Sequence, residues 1–481
     1  MAKQLTVDMT KGRPLKQIVG FTIPMLIGNI FQVLYNMVDS IIVGRTISVD
    51  ALAAVGAAGS IMFLIVGFAQ GFTNGLAIVV AQRFGAGDED GLRRSVGTGI
   101  ILSLIATVAI TAASIYSARP LLELMNTPAN IIDDAYDYII VIYWGIVFQL
   151  FYNYISSVIR ALGDSRSPLY FLLVSCLVNI VLDLVFILNF NMGVAGAGLA
   201  TIIAQALSGI LCVIYIAKKL PILRLKKRDF KLTASFTWRH IVLAVPMAFQ
   251  TSVIAIGTMV VQTVLNSFGS VAVAGYTAAN KIEQLVSQPQ ISFGLAMATY
   301  VGQNYGAQNV ARIKEGVRKC ALTITGVTAV VVVLVLVFAG PLTTVFMDTT
   351  EDPALAAQVI NYSKTYFYVA AVFYFLLGLL FVYRNSIQGM GGATIVLLGS
   401  FAELTARIVL SLVMADLFAG LFGSDFYGYV GVCAASPIAW LSAAALFIVS
   451  YFVKIRKLPA VFERQNREYE ERAALEMQEI M

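Results

Sequence analysis

The sequence predicts an all-α polytopic membrane protein of twelve transmembrane helices, arranged as two parallel-repeat six-helix bundles around a central cavity. Three observations carry this. Of 481 residues, 59% are hydrophobic and only 12% charged, where an average soluble domain is roughly one-quarter charged. Apolar runs of about 20 residues, long enough to cross a bilayer as helix, recur from Ile18 almost to Lys454. Motifs of the first half return in the same order in the second. The runs are continuous and rich in Leu, Ile, Val, Ala and Gly, without the alternating ten-residue segments of an outer-membrane barrel.

Hydropathy places helices over 17–43, 51–82, 95–117, 131–160, 168–190, 194–217, 239–264, 272–302, 315–339, 354–385, 393–417 and 429–453. The first run is full length, carries Asn29, Gln32, Asn36 and Asp39, and lacks a small-residue cleavage site. It reads as a retained helix rather than a signal peptide. The expected organisation is a cytoplasmic tail (1–16), an N-terminal bundle (17–217), a basic linker (218–238), a C-terminal bundle (239–453) and a second cytoplasmic tail (454–481).

With the N-terminus inside, the inner segments hold 28 of the 33 Lys and Arg and the outer ones only Arg45 and Arg119, while Lys281, Lys364 and Arg407 fall within helices. The positive-inside rule then sets both termini in the cytoplasm of a multi-pass plasma-membrane protein. The acidic outer residues Asp348, Glu351 and Asp352 agree. The net charge of +6 concentrates in inner loops such as KKLPILRLKKRDFK, which face anionic lipid rather than nucleic acid.

Four scattered cysteines, Cys176, Cys212, Cys320 and Cys433, suggest free thiols, and a single histidine, His240, leaves no cluster for zinc or haem. The loop GAGDEDGLRR has no GxxxxGK[ST] pattern and reads as a solvated helix start. No nucleotide-binding domain fits in the loops. The expectation is a protein that is not an enzyme, uses no ATP or cofactor, and draws energy from an ion gradient.

DALAAVGAAGSI from Asp50 aligns with VAVAGYTAANKI from Val271, and AQRFGA from Ala81 with GQNYGA from Gly302, both at an offset of 221. IRALGD from Ile159 pairs with IQGMGG from Ile387 at 228, and AGAGLATIIA from Ala195 with GVCAASPIA near Gly431. Six helices per half give the halves one membrane orientation, so they are parallel repeats about an axis along the membrane normal. Secondary transporters that rock between two open states use such a design, and one chain supplies both bundles, so a monomer suffices.

In the first helix Asn29, Gln32, Asn36 and Asp39 are spaced 3, 4 and 3, which confines them to a sector of roughly 80°. In the fifth, Asn179 and Asp183 stand at i and i+4 in an apolar run. Asp183 lies about seven residues, or roughly 10 Å, inside the outer helix end, and Thr201 in the antiparallel sixth helix lies at about that depth. Carboxylates within a span are costly and mark a functional site by default. Here they offer hard oxygen donors to H+ or Na+. In the fourth helix Gln149, Asn153, Ser157 and Arg160 also fall near helical spacing.

The chain resembles the multidrug and toxic compound extrusion family of cation-coupled antiporters over nearly its whole length. The matching residues are YNMVDSIIVGR around Asp39, Pro24 fifteen residues earlier, NIVLD from Asn179 to Asp183, GVAGAGLAT ending at Thr201, and IRALGDSRSP after the fourth helix. The resemblance implies that Asp39, Asn179, Asp183 and Thr201 form the coupling-cation site and that Pro24 lets the first helix bend. It also implies export of amphipathic, often cationic small molecules in exchange for entering H+ or Na+. Gln32, Tyr35, Asn36, Asn153, Lys281 and Gln284 are the candidate substrate-cavity residues.

At the repeat offsets the second half has Val261 or its neighbour for Asp39, Arg407 for Asn179 and Ser411 for Asp183, so no mirrored cation site is expected. Glu283, and Glu403 with Arg407 at i and i+4, remain open between structural pairing and function. The alternative is a lipid-linked oligosaccharide or lipid flippase of the same superfamily, which calls for a more basic central cavity.

Overall fold

The computed structural model describes residues 6–125, 127–346 and 352–480, except the side chains at 45, 49, 52, 60, 469 and 472–480. The Arg45 side chain, Asp348 and Glu351, invoked above for orientation, lie outside the described residues. The helices are α1 (Pro14–Thr46), α2 (Val49–Gly85), α3 (Glu89–Leu124), α4 (Ile132–Trp144), α5 (Ile146–Ala161), α6 (Arg166–Leu184), α7 (Gly193–Lys219), α8 (Ala234–Leu265), α9 (Ser270–Val286), α10 (Gln288–Gly306), α11 (Val310–Thr344), α12 (Pro353–Ala370), α13 (Tyr374–Gly389), α14 (Ala393–Phe422) and α15 (Asp425–Ile480). No strand occurs among the described residues.

Ten helical spans are long and apolar enough to cross a bilayer, and α4 with α5 makes an eleventh, bent by 49°. The pair α9 and α10, eighth in chain order, brings the total to twelve. Lys281, Glu283, Gln284, Gln288 and Gln290 interrupt its apolar run, and Pro289 opens α10 where α9 stops. The expected single helix over 131–160 is thus two. The turn falls at Gly145, where a Cβ would strike the Ile202 side chain of α7, so the bend brings α4 and α7 together. Most helices also overrun their hydropathy windows by several residues, because a helix continues past the apolar zone to its cap. Asp88 caps α3 by accepting from the Gly91 N–H, and Asn309 caps α11 from the Arg312 N–H. The segment 454–481, expected as a separate tail, continues α15 as helix to Ile480.

The basic linker between α7 and α8 is packed rather than free. Arg228 pairs with Asp90 at 2.9 Å, Arg94 donates to Thr233 at 2.6 Å, and the Asp229 backbone lies so close to Gly97 of α3 that a side chain there would strike it. Residues 6–13, expected as a tail, run across the same end of the bundle. The Met9 N–H donates to Gln303 Oε1 (2.8 Å), while Arg312 donates to the carbonyls of Met9, Lys11 and Gly12 at 2.6–3.0 Å.

The two halves meet at this linker end through repeated motifs. Gln82 Nε2 donates to the Gly389 carbonyl (2.9 Å) and Gln303 Nε2 to the Ala161 carbonyl (2.8 Å). Gln82 and Gln303 are repeat equivalents, as are Ala161 and Gly389, so each half caps the other by the same contact. Gly85 sits against the Gln303 backbone and Gly306 against that of Gln82. Further along, Gly71 and Gly75 of α2 lie against the Met247 and Ala244 backbone of α8. At the far end the halves part: the apolar cluster that joins Val43, Ala54, Tyr143 and Val194 contains only first-half residues. Helix α1 crosses between them, with Ile18, Phe21 and Met25 in the second-half core and Val43 in the first.

Gly85→Ala places a methyl against backbone, and overpacking of this kind costs about 1–3 kcal/mol. Its thermal midpoint in detergent is expected to fall by several degrees, whereas Gly59→Ala, with open space around it, stays at or above wild type.

Candidate cation site and central cavity

The stripe on α1 reaches the far half of the first bundle, where α6 and α7 bring it partners. Small residues set the spacing. A Cβ at Gly196 or Gly198 of α7 would crowd Phe186 or Val141 at 3.0–3.4 Å, so α7 lies close enough for Thr201 to reach α1. The Tyr35 hydroxyl is 3.2 Å from Thr201 Oγ1 and donates to Asn179 Oδ1. Asn179 Nδ2 in turn donates to Asp183 Oδ2 at 2.6 Å. The Asp39 and Asp183 carboxyls lie within hydrogen-bonding reach of each other, and Tyr138 is buried beside both. Asp39 is 8% exposed and Asn179 and Asp183 fully buried. Both Asp Oδ1 atoms have no hydrogen-bond partner. Directly after Asp183 the helix widens into a π turn, Val185–Asn189, a distortion frequent at functional sites.

The structure therefore brings the four expected residues Asp39, Asn179, Asp183 and Thr201 together. Their donor set of carboxyl, amide and hydroxyl oxygens fits a proton or a hard monovalent cation. Among the described residues no three His, Cys, Asp or Glu side chains gather as metal ligands.

Between this cluster and the linker-end seam lies an open cavity of about 1020 Å³ including its mouth. Pro24, Asn29 and Gln32 of α1, Gln70 and Asn74 of α2, and Asn153, Ser157 and Arg160 of α5 line one side; Met247, Leu295, Thr299 and Asn385 line the other. Its floor is the seam, at Ala81 and Ala161. Asn29 Nδ2 reaches across to Ser292 Oγ on α10 (3.1 Å), and α1 runs as unbroken helix through Pro24.

Of the expected cavity residues, Gln32 and Asn153 line it and four do not. Tyr35 belongs to the carboxyl cluster. Asn36 is exposed beyond the cavity wall. Lys281 and Gln284 are also exposed, because α9 turns its opposite face, Gly275, Tyr276 and Glu283, to α12. Sequence reasoning missed the Tyr35 hydroxyl as the link between α6 and α7. It lies four residues before Asp39, one helical turn along, and that spacing was the available signal.

The second half holds its charges differently. Arg407 Nη2 meets Glu403 Oε1 at 2.8 Å, both side chains 7% exposed. Glu283 Oε2 accepts from the Tyr366 hydroxyl at 2.5 Å. All four cysteines are free.

This bundle of two like halves, with a buried carboxyl cluster above a shared cavity, defines a polytopic membrane transporter. The family model MatE matches residues 24–185 and 246–413, one stretch in each half, and the chain belongs to the multidrug and toxic compound extrusion (MATE) family, whose members are transporters rather than enzymes. It is 29% identical to the probable multidrug resistance protein YpnP of Bacillus subtilis, covering 80% of this chain and 84% of that protein. With the probable multidrug resistance protein NorM of Thermotoga maritima the identity is 25%, over 85% and 88%. The fold matches a MATE structure solved in complex with MaL6 at a TM-score of 0.85 and 24% identity, covering 96% of this chain and 100% of that one. A transporter of the MOP superfamily from Pyrococcus furiosus matches equally, at 0.85 and 24%, over 95% and 99%.

Removing one partner of a buried ion pair typically costs about 3–5 kcal/mol, while apolar replacement of both is often neutral. Arg407→Met is expected to unfold well below wild type in a detergent thermal scan. Glu403→Leu combined with Arg407→Met should recover most of that loss.

Proposed function

We propose that this protein exports amphipathic small molecules from the cytoplasm in exchange for inward H+ or Na+, by alternating access of one cavity shared between two helix bundles. The observation that carries this reading is the Asp39–Asp183 carboxyl pair, buried with one partnerless oxygen on each and joined through Asp39 to the α1 stripe that lines the cavity. Two carboxylates at this separation repel unless a proton or cation lies between them. An ion arriving from outside relieves that repulsion and changes how α1 packs against α6. Because α1 is shared by both halves, the change reaches the cavity and the seam. The relatives' printed names, multidrug resistance protein and multidrug export protein, support the substrate class. The basic segments at the linker end support placing that end, with both termini, in the cytoplasm; the halves then part toward the outside.

A shared proton completes the carboxyl pair without displacing any neighbour. Sodium needs more oxygens, and Asn179 Oδ1 is engaged by Tyr35. This favours H+. Each charge crossing 100 mV supplies about 2.3 kcal/mol, a bias of roughly fifty-fold per ion. Among the described residues the wall of the cavity holds a single cation, Arg160, which gives the lipid-flippase alternative no strongly basic surface.

In proteoliposomes carrying a fluorescent amphiphile, an imposed pH gradient is expected to drive its movement and a sodium gradient to drive little. Asp39→Asn and Asp183→Asn should each abolish gradient-driven movement while inserting normally; normal gradients in both variants would overturn the assignment. Tyr35→Phe releases Asn179 Oδ1, and its transport is expected to gain a sodium response absent from wild type.

A further inference from the structure

Among the described residues Arg160 is the one charged side chain in the wall of the central cavity; the rest of that lining is apolar, hydroxyl or carboxamide, with no acidic group. Its guanidinium, half-buried at the end of α5, makes no ion pair among the described residues. Its one side-chain hydrogen bond runs from Nη2 to Ser157 Oγ (2.8 Å), and Ser157 passes its own proton to Asn74 Oδ1 (3.0 Å). The nearest carboxylate along the chain, Asp164, is taken up by its own surroundings. It accepts from the N–H groups of Arg166 and Ser167 at 3.0 Å, the Ser167 hydroxyl at 2.6 Å and the Tyr215 hydroxyl at 2.7 Å. An arginine keeps its charge under all conditions and presents five donors in a planar fork. Enclosed by protein without a counter-charge, it is under-satisfied unless an anion arrives.

The repeat shows that the seam does not require this charge. The equivalent position in the second half is Gln388, a neutral amide that donates to Gln250 Oε1 at 2.6 Å. The same crossed glutamine contact is made there beside a neutral amide at this position, while the buried cation of that helix, Arg384, stands one turn earlier over the Phe381 ring. Arg160 therefore belongs to the cavity rather than to the scaffold.

We propose that Arg160 receives the carboxylate of the transported molecule, so that the preferred substrates are acidic or zwitterionic amphiphiles rather than simple organic cations. This rests on the reading of the cavity as the export path and sharpens its substrate class. A planar carboxylate meets the guanidinium through two parallel hydrogen bonds, the strongest geometry the fork offers. The apolar body of the ligand then lies along Leu169, Leu172, Met247 and Leu295, with the Asn153 amide in the same wall for its polar substituents. A substrate carrying only positive charge meets a like charge at the same place.

Equilibrium binding to the full-length purified protein, without any gradient, tests this. The probes are a fluorescent aromatic amphiphile bearing one amine and one carboxylate, and its methyl ester. Wild type is expected to bind the acid at least tenfold more tightly than the ester. Arg160→Gln should bring the acid to the ester's affinity and leave the ester's unchanged, and Arg160→Lys should keep part of the preference. Equal binding of acid and ester by wild type, or no binding of either, overturns the proposal. So does a parallel loss of both in Arg160→Gln, which would assign Arg160 to holding the fold. Antiport fails by a different measurement: if neither probe moves under a gradient, the export reading falls while the acid-to-ester ratio still reports on Arg160.

Discussion

The crossed contact between Gln82 and Gln303 is the interaction on which the rest of the arrangement depends. Each amide reaches out of its own half to the last carbonyl of a helix in the other, Gly389 or Ala161. Those carbonyls are orphans of helix termini and need an outside donor. Because the partners are repeat equivalents, the contact is self-complementary, as in a two-fold dimer. The remaining oxygens of the two glutamines fasten the start of each half: Arg239 donates to Gln82 Oε1 and the Met9 N–H to Gln303 Oε1. The cavity floor, the course of residues 6–13 and the approach of α2 to α8 all follow from this joint.

On a nearly symmetric frame the charges are asymmetric. The first half keeps two carboxyls, each with one buried oxygen that has no hydrogen-bond partner. The second puts Arg407 where the first has Asn179 and closes it on Glu403, one turn away. The guanidinium already neutralises the Glu403 carboxylate, whereas the two carboxyls of the first half make no ion pair among the described residues. Helix α1 joins the two regimes, since its first turns pack in the second half and its last in the first.

Much of this was legible in the sequence. Polar residues in an apolar span cost too much to be incidental, so Asp39, Asn179 and Asp183 announced themselves by spacing, and the repeat identified both seam motifs before any contact was known. What periodicity cannot give is the identity of the neighbour across a helix face. Tyr35 shares the α1 stripe and was assigned to the cavity because the stripe does not say where α6 and α7 stand. Lys281 and Gln284 stand outside the cavity wall for the same reason: the periodicity of α9 does not say that α12 covers its opposite face. The segment before Pro14 reads as a tail because its bonds go to residues 294 to 303 positions away, beyond any local pattern. Arg160 shares helical spacing with Gln149, Asn153 and Ser157, but spacing does not tell that it stands in the cavity wall without a counter-charge.

The way Gly85 and Gly306 meet the opposite half also governs how this protein can change by descent. Most tight side-chain contacts can be repaired from the other side, by trimming whatever is struck. Here the struck atoms are main chain, which every amino acid carries alike. A lineage that loses either glycine has no second-site suppressor to find across the joint; a suppressor selection begun from such a variant would return true revertants, or chains in which the helix itself has shifted register.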